Sequence, residues 1–338
     1  METIEIDGGY LEGGGQIVRT AIGLSAATGK PCRITDIRKG RRKPGLAAQH
    51  LTGVRAVASL CGARVEGAHV GSPGLEFRPG PLDPPERVSA AVGTAGSVTL
   101  VLQALMIPLA AAGRAVEVTV SGGTHVNWSP TADYFGEVTA LFLGQMGVAV
   151  ELLETRLGFY PKGGGRVRVA VCPEGLKPLA LTERGECEGV SARSIATEDL
   201  RRARVAERQI EAVADLLALE RAEAEYVRSP STGSAIHLTA HCGGCRLGSS
   251  ALGERGKPAE KVGREAARAL AAAIERGACL DEHMADQVLP YLALAGGRSQ
   301  VRVDAITEHC RTNVWVIEQF LPARFELDEE RGVISCLA

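Results

Sequence analysis

Ile17-Val-Arg-Thr-Ala-Ile-Gly-Leu-Ser-Ala-Ala-Thr-Gly-Lys-Pro-Cys-Arg-Ile-Thr-Asp-Ile37 reads in two halves. Through Ala27 the apolar residues recur at helical spacing, with Ile17, Ala21 and Leu24 along one stripe and Val18 and Ile22 beside it. Thr28-Gly29 is a stop, because glycine supplies the left-handed residue that ends a helix. From Cys32 to Ile37 the pattern becomes strand-like. The same plan of helix, Ala/Gly stop and strand returns twice. Val98 to Ala112 stops at Gly113 and continues as Val116-Glu-Val-Thr-Val120; Val288 to Ala295 stops at Gly296-Gly297 and continues as Val301-Arg-Val-Asp-Ala-Ile306.

The stops are unevenly spaced. Gly29 and Gly113 stand 84 residues apart, Gly113 and Gly297 184 apart. The excess has the size of a small domain. The spacing therefore predicts a main domain of residues 1–184 and 278–338, with a small α/β domain of residues 185–277 inserted in the third repeat. Inside the insert, Gly189 to Ile195 and residues 234–242 read as strands. Glu198 to Glu220 and Pro258 to Arg276 read as amphipathic helices. The fold class is α/β (α+β), built from βα-rich repeats.

The 338 residues carry a formal net charge of −2, so the molecule as a whole does not coat duplex nucleic acid and any polyanion must be held locally. The first residues read as a strand and not as a leader, and no apolar run reaches membrane-spanning length. The expected setting is cytoplasmic, away from membranes and with no obligate protein partner evident. Nine scattered cysteines fit a reducing compartment better than a disulfide framework. His237 and His241 alternate with Ile236, Leu238 and Ala240 on a strand, which sets the two rings roughly 13 Å apart, too far to share one ion. Cys242 and Cys245 read as structural thiols that a turn would still allow to pair or to bind metal.

Just before the first helix stands Gly13-Gly-Gly15, where free backbone N–H groups and the helix dipole attract anions. Glu12 precedes it, placed to hold a divalent cation against a phosphate. Five of the six residues from Arg38 to Lys43 are cationic, on a turn constrained by Gly40, Pro44 and Gly45 and followed by Gln49-His50. Arginine forks there suit bidentate phosphate capture. Arg19 falls roughly opposite the apolar stripe and points either to solvent or to whatever the glycine loop binds. Gln103 is the only long polar side chain between Val98 and Leu109, and reads equally as a structural hydrogen bond or a nucleotide contact. His309 follows Ile306-Thr307 at an expected strand end. Its neutral imidazole has the chemistry to attack phosphorus. His283-Met-Ala-Asp-Gln287 leads into the third helix with a carboxylate and an amide suited to a ribose or base.

These residues resemble the RNA 3′-terminal phosphate cyclase family. The resemblance is carried by Gly8-Gly-Tyr-Leu-Glu-Gly-Gly-Gly-Gln-Ile-Val-Arg19, the Arg38 to Leu46 run, Gln49-His50-Leu51 and Gly93-Thr-Ala-Gly-Ser-Val-Thr-Leu-Val-Leu-Gln103. It continues through Ser121-Gly-Gly-Thr124, Gly158-Phe-Tyr-Pro-Lys-Gly-Gly-Gly165 and His283 to Gln287. It runs nearly end to end and is weakest in the insert. It implies three βαβαββ units plus an inserted α/β domain, and an ATP-dependent conversion of an RNA 3′-phosphate end to a 2′,3′-cyclic phosphate. His309 would carry AMP as the adenylylated histidine. Gln103, His283, Met284, Ala285, Asp286 and Gln287 would contact ATP, with Asp286 and Gln287 toward ribose and base. His283 stands where family members often have an aromatic residue. Arg19, Arg38, Arg41 and Gln49 would lie near the phosphates or the RNA terminus, and Glu12 near a divalent cation, Mg or Mn. The alternative is a non-catalytic, cyclase-like RNA-processing scaffold; such relatives lack the histidine, which is present here. Enolpyruvyl-transfer enzymes share repeated units of this kind, but their signature does not read through the chain.

Overall fold

The computed structural model describes residues 2–338. The first unit runs β1 (Ile4–Asp7), α1 (Gly15–Thr28), β2 (Cys32–Thr35), α2 (Ala48–Cys61), β3 (Arg64–Glu66) and β4 (Leu75–Arg78). The second has β5 (Arg87–Ala91), α3 (Val98–Ala111) and β6 (Val116–Gly122). Its second helical segment is α4 (Ala132–Tyr134), a π-helical turn at Phe135–Thr139 and α5 (Ala140–Gln145), followed by β7 (Val148–Arg156) and β8 (Gly165–Pro173). A third begins at β9 (Ala180–Leu181) and is interrupted by β10 (Gly189–Thr197), α6 (Val205–Ala214), β11 (Arg221–Val227), β12 (Ser234–Cys242), β13 (Cys245–Leu252) and α7 (Ala259–Glu275). It resumes with α8 (Glu282–Leu294), β14 (Arg298–Arg302), α9 (Glu308–Phe320), β15 (Arg324–Asp328) and β16 (Val333–Leu337).

The three units share one wiring. Their sheets run β1-β2-β4-β3, β5-β6-β8-β7 and β9-β14-β16-β15, so each unit orders its own strands first, second, fourth, third. In each, the first pair is parallel across a helix and the other two pairs are antiparallel. The fourth sheet, β11-β10-β12-β13, is wired differently. The fold is thus α/β, with three βαβαββ units and a further α/β layer spliced into the third.

The glycine stops do what their chemistry requires. Gly29, Gly113 and Gly296 all adopt left-handed φ of 65–71°, Gly29 directly after its helix and the other two directly after the C-cap residue. The strands that follow alternate as half-buried strands should: Cys32 and Ile34 face inward between Arg33 and Thr35, and Val116, Val118 and Val120 do so in β6. Helix α3 is apolar on almost every side, and accordingly packs between α1 and α2.

Three local expectations are corrected. His309 does not end a strand; it lies in the first turn of α9, where Thr307 caps by accepting from the Cys310 N–H. The helix expected over 198–220 is a 3₁₀ turn (Glu198–Ala203) and α6, separated by Arg204 at φ 51°, and by Arg221 the chain is already a strand. Cys242 is not a thiol but is disulfide-bonded to Cys187, 55 residues earlier; Cys245 faces Cys242 across the β12–β13 hairpin and remains free. No sequence spacing shows that pairing, because it depends on the strap before β10 lying along the end of β12, where the Glu188 N–H donates to the His241 carbonyl at 2.7 Å. Among the described residues, no helix is long and apolar enough to cross a membrane.

Candidate active site

Helix N-termini from different units converge on one place. The glycine loop ends at Gly14, the N-cap of α1, whose first-turn N–H groups have no side-chain cap. The adjoining turn of α9 carries His309, and α8 begins beside it after Asp281, whose Oδ1 accepts from the His283 and Met284 N–H groups at 3.0 Å each. Three buried polar side chains stitch these starts together. Gln16 Nε2 donates to Asp286 Oδ2 at 2.8 Å and to the His309 carbonyl at 3.0 Å. Asn313 Nδ2 donates to the Asp286 carbonyl at 2.8 Å, and Thr20 donates its hydroxyl to Asn313 Oδ1 at 2.7 Å. Buried polar groups must be paired, and here each pairing also fixes one functional element against another.

The Glu12 carboxylate lies in close hydrogen-bonding contact with His309 Nδ1 and 4.0 Å from Arg41 Nη2. Burial pushes the His309 pKa below its ordinary value. Glu12 pulls it back up, while Arg19, Arg41 and His283 add to the lowering. The imidazole is therefore neutral near pH 7. With Nδ1 turned to a carboxylate, it is the Nε2 lone pair that is left free.

A narrow cleft opens beside this group, lined by Arg19, Gln103, Phe135, Thr139, Asp286 and Gln287, among others. Arg19 is neither opposite the core nor out in solvent: it sits in the cleft wall by Asp286, and burial lowers its pKa to about 10 against the pull of that carboxyl. Asp286 is raised to about 7, by burial first, with Arg19 opposing. Gln103 makes no side-chain hydrogen bond among the described residues, which leaves its amide available to the cleft. Gln287 lines the cleft while its amide donates to the His283 carbonyl at 2.7 Å. His283 is exposed, edge-on to Tyr134 at 6.2 Å. Met284 and Ala285 turn into the core instead, so their side chains are not brought to the cleft.

The basic turn is only partly free. Arg38 donates to the Gly45 carbonyl at 2.8 Å, Lys39 pairs with Asp36 and Arg41 approaches Glu12. Gln49 Oε1 already accepts from the Ser97 N–H at 2.9 Å, joining α2 to the start of α3 and leaving only its NH₂ for a ligand. Among the described residues no three His, Cys, Asp or Glu side chains gather as a metal cage. Glu12 offers one carboxylate, a donor set that suits a hard divalent cation held mostly by phosphate oxygens and water.

Sequence reasoning passed over several members of this group. His50 is buried, its Nδ1 accepts from the Ala47 N–H at 3.2 Å, and its Nε2 lies so close to Gly15 that a Cβ there would overlap it. Burial, then Arg19 and Arg38, drive its pKa down to about 3, so it presents a neutral Nε2–H donor to the glycine loop. Gln16 and Asn313 were also missed. The signal that flagged Gln103, a lone amide in an apolar run, does not reach Gln16, which follows three glycines and has Arg19 and Thr20 close behind. Phe135 and Thr139 reach the cleft from the π-helical turn, which no residue pattern announced.

Comparison with known proteins gives a consistent picture. The family model for RNA 3′-terminal phosphate cyclase matches residues 10–327. A protein named RNA 3′-terminal phosphate cyclase from Methanopyrus kandleri is 46% identical over 344 residues, covering 98% of this chain and 97% of that protein. One of the same name from Thermococcus kodakarensis is 47% identical over 338 residues, covering 98% and 96%. Among solved structures, the enolpyruvyl transferase NikO from Streptomyces tendae aligns over 98% of this chain and 81% of its own at 11% identity, with a TM-score of 0.26, too slight a likeness to bear on fold or function.

Proposed function

The chain belongs to the RNA 3′-terminal phosphate cyclase family, and from that premise we propose that it converts RNA 3′-phosphate ends to 2′,3′-cyclic phosphates at the expense of ATP. The observation that carries the reading is the contact of Glu12 with His309 Nδ1, tied through Gln16 to the cleft lined by Gln103 and Asp286. In this reading Glu12 takes the Nδ1–H hydrogen bond, and Nε2 attacks the α-phosphorus of ATP. A P–N bond forms, the α,β-anhydride P–O bond breaks and pyrophosphate leaves. An oxygen of the RNA 3′-phosphate then attacks the AMP phosphorus, the P–N bond breaks and the imidazole is regenerated. The adjacent 2′-hydroxyl attacks the activated 3′-phosphorus, AMP leaves, and the hydroxyl proton passes to water. That last attack is intramolecular, so positioning supplies most of the help it needs.

Placement supports the following roles in this reading. Arg19, Arg38 and Arg41, with the open N-terminus of α1, offset phosphate charge. Asp286, Gln287 and Gln103 face the nucleoside. A divalent cation, Mg or Mn, supplies charge neutralisation on the triphosphate when bound, and Glu12 is the carboxylate that would hold it. Residues 185–277 form the inserted domain in this reading, and its Gly248 N–H holds the α8 N-cap Asp281 at 2.9 Å.

Incubation with α-labelled ATP and either metal, followed by a denaturing gel, tests the reading. An acid-labile, alkali-stable label on the wild type and none on His309→Ala is the expected result. An unlabelled wild type at a pH where imidazole is neutral overturns the nucleotidyl-transfer step.

A further inference from the structure

Two of the most exposed aromatic side chains stand on neighbouring loops of the second unit. Trp128 is 97% exposed and Tyr160 74%. The Trp128 backbone is held at φ 65°, a left-handed conformation unfavourable for a bulky residue and one that the surroundings must enforce. Its loop is pinned on both sides, for the Thr124 and His125 N–H groups donate to the Gly158 carbonyl at 2.9 and 3.3 Å, and the Pro130 carbonyl accepts from the Thr99 hydroxyl at 2.7 Å. His125 pairs with Phe159, the residue before Tyr160, in a parallel bridge. The second loop is equally fixed: Gly163 is lodged against Thr94 and Ala95, and the Lys162 N–H donates to Ser231 Oγ at 3.0 Å. Two flat apolar rings are thus presented to water on rigid supports.

These supports adjoin the candidate active site. The loop against which Gly163 rests ends at Ser97, whose N–H is held by Gln49. Tyr134, six residues beyond Trp128, lies edge-on to His283. Exposed cations without an ion-pair partner among the described residues are at hand: Lys162, two residues after Tyr160, and Arg42 and Lys43 of the basic turn. Unpaired positive charge together with exposed aromatic faces is the chemistry that recognises a single nucleic-acid strand, phosphates on the cations and bases on the rings.

We propose that Trp128 and Tyr160 form a stacking platform for the unpaired nucleotides on the 5′ side of the RNA terminal phosphate. The inference rests on the RNA-end reading above and adds to it the form of the substrate, a single-stranded 3′ tail of several nucleotides. Every base has a π-face, so the platform is indifferent to sequence. A terminal phosphate buried in a paired, blunt duplex has no free bases for it.

The test is fluorescence anisotropy with a 5′-fluorescein single-stranded RNA decamer bearing a 3′-phosphate, run beside ATP self-labelling. Trp128→Ala and Tyr160→Ala are each expected to raise the decamer Kd on the order of tenfold. Trp128→Phe should recover most of the affinity, and self-labelling should stay at the wild-type level in all three. Unchanged decamer affinity in both alanine variants overturns the platform. So does a loss of self-labelling with decamer affinity intact, which would give the rings to the ATP base. A wild type that never labels, with variants that still lose decamer affinity, would overturn the catalytic reading and leave the platform standing.

Discussion

Tyr10 stacks on Trp315, ring centroids 4.2 Å apart and planes inclined by 19°. Tyr10 belongs to the glycine loop that carries Glu12, and Trp315 to the helix that carries His309. The pair therefore sets the loop's height against α9. Such a pair contributes about 0.5–1.5 kcal/mol beyond its buried area. Tyr10→Ala should lower stability to urea by at least that amount, the lost buried ring area adding to it, and cut self-labelling by ATP on the order of tenfold, because the Glu12–His309 contact loses its register. Tyr10→Phe should keep both. A labelling loss no greater than the stability loss implies would show that the stack does not position the site.

The pH dependence of self-labelling should report a histidine made harder to protonate. Burial lowers the His309 pKa below its ordinary 6.5, so the neutral form persists on the acid side and the rate should fall with a midpoint below that value. Glu12→Gln removes the one charge that raises this pKa and should move the midpoint lower still. It should also depress the plateau by about 10²-fold, since Nδ1–H loses a charged acceptor. A wild-type midpoint above 6.5 would mean that Glu12 outweighs burial.

ATP affinity should titrate through Asp286. Its pKa lies near 7, raised by burial against the pull of Arg19, so the ionised form that accepts hydrogen bonds grows as pH rises through that value. Equilibrium binding of ATP to His309→Ala should tighten between pH 6 and 8 if Asp286 grips a ribose hydroxyl. The same measurement with Asp286→Asn added should be flat. A slope that survives the Asn substitution would assign the titration to another group.

The repeat architecture was legible because it is written locally. A helix stripe, a left-handed glycine and an alternating strand each need only a few neighbouring residues, and all three recur at Gly29, Gly113 and Gly296. Individual site residues such as Glu12, Arg41 and Asp286 could be nominated from their neighbours or from resemblance. Their mutual contacts could not, because Gln16 meets Asp286 across 270 residues of chain and His309 across 293. The same holds for Cys187 and Cys242, joined only once a strap lies beside a strand end. The setting of Arg19, in the cleft wall and out of solvent, was only half legible for another reason. The stripe argument treats α1 as having one buried face, whereas α3 and α9 pack on it from further sides.

The contact between the second unit and the inserted sheet should be costly to disturb. Buried Asp133 accepts from His125 Nε2 at 2.6 Å and also holds Arg193 of β10, which reaches Glu225 at 2.6 Å. Burial would raise the carboxyl pKa, but His125 and Arg193 hold it below the usual carboxylate range. Asp133→Ala leaves both partners without it and should destabilise the protein by about 3 kcal/mol in urea denaturation. A loss under about 1 kcal/mol would mean that Glu225 and water satisfy Arg193 unaided, as at an exposed pair.

The two-residue strand β9 is laid down long before its partner β14, with the whole spliced layer between them. On a ribosome, the glycine loop, the basic turn and the wall bearing Gln103 emerge well before α8 and α9. Under the proposed chemistry, a nascent chain or a prematurely terminated product has a phosphate cradle but no nucleophile and no nucleoside wall. Copies that stop short of α8 and α9 are chemically silent toward ATP, and the reaction is switched on only once those two helices have been made and docked on α1.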